Sequence, residues 1–153
     1  MSAALSDVTG ATGRGTPRAG GVSGVVRWIA LLLLCAAYLQ GGLVKLFDFQ
    51  GAIGEMNHFG LAPAPLFAGL VIVLELGASA LILSGRWRWL GALALAAFTA
   101  AATFMANRYW DASGQERFML MNSFFEHWGL VGGFLYVAWA DWQERRAAAH
   151  VPH

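Results

Sequence analysis

The stretch VIVLELGASALIL, residues 71–83, holds one acid, Glu75, in an otherwise apolar run. What surrounds that run decides whether the carboxylate is tolerable. The chain has 153 residues, 58% of them hydrophobic and 12% charged, and its mean hydropathy is +0.54. Soluble domains average about 45–50% apolar and about 25% charged residues. A water-soluble body of this size would have too much surface to carry so few charges. The solvent for residues 71–83 is therefore lipid.

A membrane-crossing helix needs about 20 mostly apolar residues. Four segments meet that need: about residues 25–47, 65–84, 89–107 and 120–140. The fourth is the least apolar, because Asn122, Glu126 and His127 lie in it. The first run exceeds a signal-peptide core of about 7–15 residues, and no small-x-small site follows it, so it reads as a retained span. The expected fold class is all-α: an integral membrane four-helix bundle forming one domain over residues 25–142. Residues 1–24, rich in Gly, Ala, Ser and Thr, read as a disordered tail. Residues 143–153 read as a polar cytoplasmic tail.

Basic residues set the orientation. Arg14, Arg18, Arg27, Arg86, Arg88, Arg145 and Arg146 fall on one side, against Lys45, Arg108 and Arg117 on the other. Both termini are thus expected in the cytoplasm. Trp28, Trp87, Trp89, Trp110, Trp139 and Trp142 fall near span ends, where an aromatic belt belongs. In the first outer loop, Ile53, Met56 and Phe59 share the spacing of one helical face, which predicts a short interfacial helix ending before Pro63 and Pro65. The second outer loop, residues 108–119, reads as polar loop.

Depth follows from the rise of 1.5 Å per residue. Glu75 lies roughly 15 Å below the outer boundary, near the midplane, where a charge costs at least ~2.5–3.5 kcal/mol. It should face the bundle interior, paired or protonated. Lys45 and Asn122 lie about 3 Å inside, Glu126 about 9 Å, and Gln40 and His127 about 10 Å. Thr99, Thr103 and Asn107 recur every four residues and share one face. All these depths fall in the outer half of the membrane. One shared polar cluster is therefore expected from Gln40, Lys45, Glu75, Thr103, Asn107, Asn122, Glu126 and His127. Glu126 and His127, some 100° apart around their helix, do not both face one small site squarely. The eight glycines at positions 41, 42, 69, 77, 91, 129, 132 and 133 are expected to let helices approach closely.

Several chemistries find no footing. The single cysteine, Cys35, precludes thiol–disulfide exchange within the chain and reads as a packing residue. Only His127 among the histidines lies in a span, so bis-histidine haem lacks its second ligand. No metal-ligand spacing, phosphate loop or dinucleotide fingerprint occurs. Without a soluble domain, nucleic acid has no place to bind.

The segments GGLVKLFDF, VIVLELGASALIL, SGRWRWLGALAL, ATFMANRYW and NSFFEHWGLVGGFLYVAW, taken in order, resemble the DoxX family of small four-helix bacterial membrane proteins. The likeness spans residues 25–142. It rests on Gly42 with Lys45, on Glu75 followed by Gly77, on the turn from Leu81 to Arg86, and on Asn122, Phe125, Gly129, Gly132 and Gly133. Many relatives carry Phe-Lys-Asn where this chain has Phe125-Glu126-His127. That reversed charge would let Glu126 pair with Lys45. The resemblance implies a multi-pass protein of the bacterial inner membrane. The family takes its name from a subunit linked to quinone-coupled oxidation of reduced sulfur. The function so implied is a subunit of a quinone-dependent oxidoreductase. The cluster would hold a quinone and handle its protons, no covalent cofactor would be present, and the partner would be a redox protein or a second copy. The alternative is a non-enzymatic assembly or stability factor, or a small-solute carrier, in which the cluster serves packing.

Overall fold

The computed structural model describes residues 20–149. The expected disorder of residues 1–19 lies outside this range, whereas residues 20–24, expected in the same tail, are helical and open the first helix. Five α-helices follow one another: α1 Gly20–Phe47, α2 Phe49–His58, α3 Ala64–Ser84, α4 Arg88–Ala106 and α5 Gly114–Ala149, with a 3-10 turn at Tyr109–Asp111 before α5. No strand occurs among the described residues. Three segments are long and apolar enough to cross a membrane: Ser23–Phe47, Ala64–Ser84 and Arg88–Asp111. The fourth expected span lies inside α5, which is longer but mixes apolar with charged turns.

Connections are short, so successive long helices run antiparallel. Helix α3 packs between α1 and α4, and α4 packs against α5. Helices α5 and α1 meet through side chains: the rings of Tyr38 and Phe134 stand edge-to-face at 5.3 Å. The core between the four long helices is built from Leu31, Cys35, Ala78, Ile82, Leu95 and Phe134, with small alanines between them. Cys35 is fully enclosed, as a packing residue should be.

Backbone approach is closest at two glycines. A Cβ on Gly91 would lie 2.6 Å from the Ala78 carbonyl oxygen, so α3 and α4 touch main chain to main chain there. A Cβ on Gly42 would lie 2.8 Å from Leu76 and 3.3 Å from the Glu75 Cβ, which marks the tight crossing of α1 on α3. Around Gly69, Gly77, Gly129 and Gly132 there is open space, so these four do not serve helix contact as expected.

Helix α2 is the short helix expected between the first two spans. Asp48 caps it by accepting from the Gly51 N–H at 2.9 Å, which satisfies one of the orphan donors at a helix start. Its buried side, Ala52 and Met56, packs on Ala64 and Ala68 of α3. Pro63 and Pro65 then open α3, where a missing N–H costs nothing.

Two expected boundaries need correction. Residues 108–119 are not simply loop: the 3-10 turn docks its Tyr109 and Trp110 rings on Phe124 at 5.4 and 6.0 Å, and α5 begins at Gly114. Nor is the tail from 143 separate, since α5 continues to Ala149. Both stretches are rich in Gln, Glu, Arg or Ala, which favour helix whatever their hydropathy. Hydropathy marks lipid contact and not helix ends.

At the arginine-rich end, Asp141 is buried and gathers three partners. It accepts from the Trp89 N–H at 3.2 Å and the Arg145 Nε at 2.7 Å, with the Arg88 guanidinium 3.8 Å away. Arg145 also donates to the Gly85 carbonyl at 3.3 Å, and Arg27 forms a two-pronged pair with Glu144 at 2.7 and 3.0 Å. These contacts tie the α3–α4 turn and the start of α1 to the far part of α5.

Candidate functional site

A cavity of about 530 Å³ opens at the opposite end of the bundle, between α1, α2, α3, α4 and α5. That volume lies within the roughly 300–1,000 Å³ of small-molecule sites. Its walls are mainly apolar: Met56, Phe59, Phe67, Val71, Phe98, Met105 and Leu130 all contribute. Six polar side chains join them: Tyr38, Lys45, Glu55, Glu75, Thr99 and His127.

Glu75 stands eleven residues into α3, roughly 16 Å from its start, and is 5% exposed. The Lys45 ammonium lies 3.5 Å from each of its carboxylate oxygens. A helical side chain leans toward the start of its own helix. Lys45 accordingly runs back over Gly41, whose missing Cβ would lie 3.5 Å from the ammonium and 3.6 Å from the carboxylate. The tight crossing at Gly42 supplies the rest of the approach. Lys45 also lies 3.8 Å from Glu55 on α2. One cation thus links three helices and compensates the midplane carboxylate.

Two further hydrogen-bond chains border the cavity. The Thr99 hydroxyl donates to the Leu95 carbonyl at 2.6 Å, and the Tyr38 hydroxyl lies 2.5 Å from the Thr99 oxygen. His127 Nδ1 lies 2.6 Å from the Ser123 carbonyl. Among the described residues no buried side-chain polar atom lacks a partner.

Of the eight residues expected to cluster, Lys45, Glu75 and His127 converge on the cavity. Thr103 and Asn107 are buried, as the shared face with Thr99 requires, but they pair with each other at 3.1 Å and do not line it. Gln40, Asn122 and Glu126 are exposed on the outside of the bundle. The pairing of Lys45 with Glu126 is likewise replaced by pairing with Glu75 and Glu55. Azimuth explains these corrections. Gln40 lies roughly 200° around α1 from Tyr38, and Asn122 and Glu126 lie about 140° and 100° around α5 from His127. Depth selected the layer, and helical spacing was needed to select the face.

Glu55 and Tyr38 were not expected. A carboxylate on an interfacial helix draws no notice, because water reaches it. For Tyr38 a signal existed: with Gly41 and Lys45 it shares one face of α1 at helical spacing. No group of three or more metal-ligating side chains occurs among the described residues.

Known proteins place this architecture. The DoxX family model matches residues 26–108, from α1 through the end of α4. The match includes Gly42, Lys45 and Glu75 and stops short of His127. Inner membrane protein YphA of Escherichia coli (strain K12) is 27% identical over 115 residues, which cover 74% of this chain and 81% of that protein. No solved structure matches the chain. The apolar helices and these relatives together make it a multi-pass inner membrane protein, and by the extent of the family match the chain belongs to the DoxX family.

Proposed function

We propose that the protein crosses the inner membrane four times with both termini in the cytoplasm, and that its cavity binds the ring of a membrane quinone as part of a redox assembly. The fourth crossing is α5: its segment 120–140 buries Val131, Phe134 and Ala138 in the shared core. The basic residues on the Asp141 side favour that side as cytoplasmic. The cavity then lies in the outer half of the bilayer.

The observation that carries this reading is the convergence of Lys45, Glu75 and His127, from three helices, on one mainly apolar cavity. Groups that only stitched helices together would sit in separate contacts. An apolar slot with a few polar groups suits a flat ring with oxygen at its edges. A quinone supplies two-electron chemistry when bound, taking up two protons and two electrons that a partner redox protein provides. Phe98 and Leu130 are among the apolar side chains that would hold the ring. Glu75 and His127 carry protons at its edge, and Lys45 keeps Glu75 compensated.

The test is binding of duroquinone to the purified chain, compared with Glu75→Gln and His127→Ala. The expected result is an affinity changed at least fivefold in one variant or both. No binding of duroquinone or of its reduced form by the native chain, or the same affinity in all three proteins, overturns the reading. The competing role in assembly or stability draws on the Lys45 link between α1, α2 and α3. It requires that Glu75→Gln lower yield and partner recovery while leaving ring binding alone.

A further inference from the structure

Which oxidation state of the ring suits the cavity follows from where its hydrogens are committed. Carbonyl oxygens only accept. The Thr99 hydroxyl spends its one hydrogen on the Leu95 carbonyl. Tyr38 must therefore donate its hydrogen to Thr99, and its own oxygen is left with lone pairs alone. The Ser123 carbonyl requires a hydrogen on His127 Nδ1, so in the neutral imidazole Nε2 is an acceptor. The Glu75 and Glu55 carboxylates, beside the Lys45 ammonium, present oxygen lone pairs. The Lys45 ammonium donates to both Glu75 oxygens at 3.5 Å and faces the Glu55 carboxylate at 3.8 Å.

The polar part of the wall therefore offers acceptors at Tyr38, Glu75, Glu55 and His127, while the donors of Thr99, Tyr38 and His127 Nδ1 are spent and the Lys45 ammonium is turned to the carboxylates. The main chain adds none, because the helical lining segments use their N–H groups within the helices, and Phe59 and Leu61 donate theirs to the Glu55 and Met56 carbonyls. A quinone brings two carbonyl acceptors and would face oxygen and nitrogen lone pairs. A hydroquinone brings two O–H donors to the same groups. A site lined to pair with hydroxyls rejects the analogue that lacks them, since its own polar groups are then left unmatched.

We infer that the cavity takes the reduced, hydroxyl-bearing form of its ring, a hydroquinone, at least tenfold more tightly than the quinone. This rests on the reading of the cavity as a quinone-ring site and adds its redox preference. A tenfold preference raises the midpoint potential of the bound couple by about 30 mV.

The experiment uses the full chain in detergent under nitrogen, titrated calorimetrically with three molecules on one ring. These are duroquinol, duroquinone, and the dimethyl ether of duroquinol, which keeps the ring and oxygens but has no hydroxyl hydrogen. The expected order is duroquinol tightest, with the other two at least tenfold weaker. Tyr38→Phe keeps the ring packed on Phe134 and removes one acceptor. It should weaken duroquinol severalfold and leave duroquinone unchanged, which a purely structural tyrosine would not do. Equal affinity for duroquinol and duroquinone, or tighter duroquinone, overturns the preference while the ring site stands. Binding of none of the three overturns both.

Discussion

Lys45 and Glu75 illustrate why an intramembrane charge is legible in sequence while its neighbours are less so. A carboxylate near the midplane is costly enough that it must have a reason to be there, and the chain supplies few cations to match it. Removing one partner of such a buried pair strands the other. Lys45→Met should therefore destabilise the bundle by about 3 kcal/mol. Glu75→Gln should cost less, about 1 kcal/mol, because Lys45 keeps the Glu55 carboxylate at 3.8 Å and can still donate to the amide oxygen. The double variant should be more stable than Lys45→Met alone. Denaturant titration in mixed micelles reads all three, and a double variant no more stable than Lys45→Met would show that the ion pair does not matter. Glu55 and Asp141 escape a sequence reading for a different reason. Each lies near a span end, where a carboxylate is ordinary, and only the fold reveals that Asp141 is buried between two arginines and a backbone N–H.

Helices themselves are read from the apolar runs to within a few residues for α1, α3 and α4, because lipid imposes the length. Helix α5 extends well beyond its apolar stretch at both ends, since its flanks are helical by propensity and by aromatic docking. The glycines divide by a criterion that sequence does not contain, namely what stands opposite. Gly91→Ala should cost about 2 kcal/mol by forcing a methyl group against the Ala78 carbonyl. Gly69→Ala, with open space around it, should be neutral or stabilise by up to about 1 kcal/mol through helix propensity. Thermal melts of the two proteins in one detergent separate them, and similar melts would deny the close α3–α4 contact. Asp141→Asn belongs to this scale too, because it loosens the tie between α5 and the α3–α4 turn. It should lower stability by roughly 1.5–3 kcal/mol, the range for bonds to a charged acceptor, and leave ring binding unaltered. A stability matching the native protein would mean that the arginines find other partners.

At the scale of the molecule, orientation is the most exposed expectation. Arg86→Cys should resist an impermeant maleimide added to intact spheroplasts and label after lysis, while Ser113→Cys should label from outside. The opposite pattern would invert the topology and place the cavity in the cytoplasmic half. Cys35, enclosed in the core, should stay silent in both.

Helix α5 has 36 residues and so measures roughly 54 Å, against about 30 Å of hydrocarbon. As the proposed fourth crossing, it would leave more than a third of its length in headgroups and water. His127 and Asp141 occupy the same unbroken rod, fourteen positions or roughly 21 Å apart. The imidazole at the cavity and the arginine clasp at the other face therefore share one rigid shaft. With α5 as the proposed fourth crossing, a tilt imposed at either end would displace the other, and the two sides of the bilayer would be joined through this one helix.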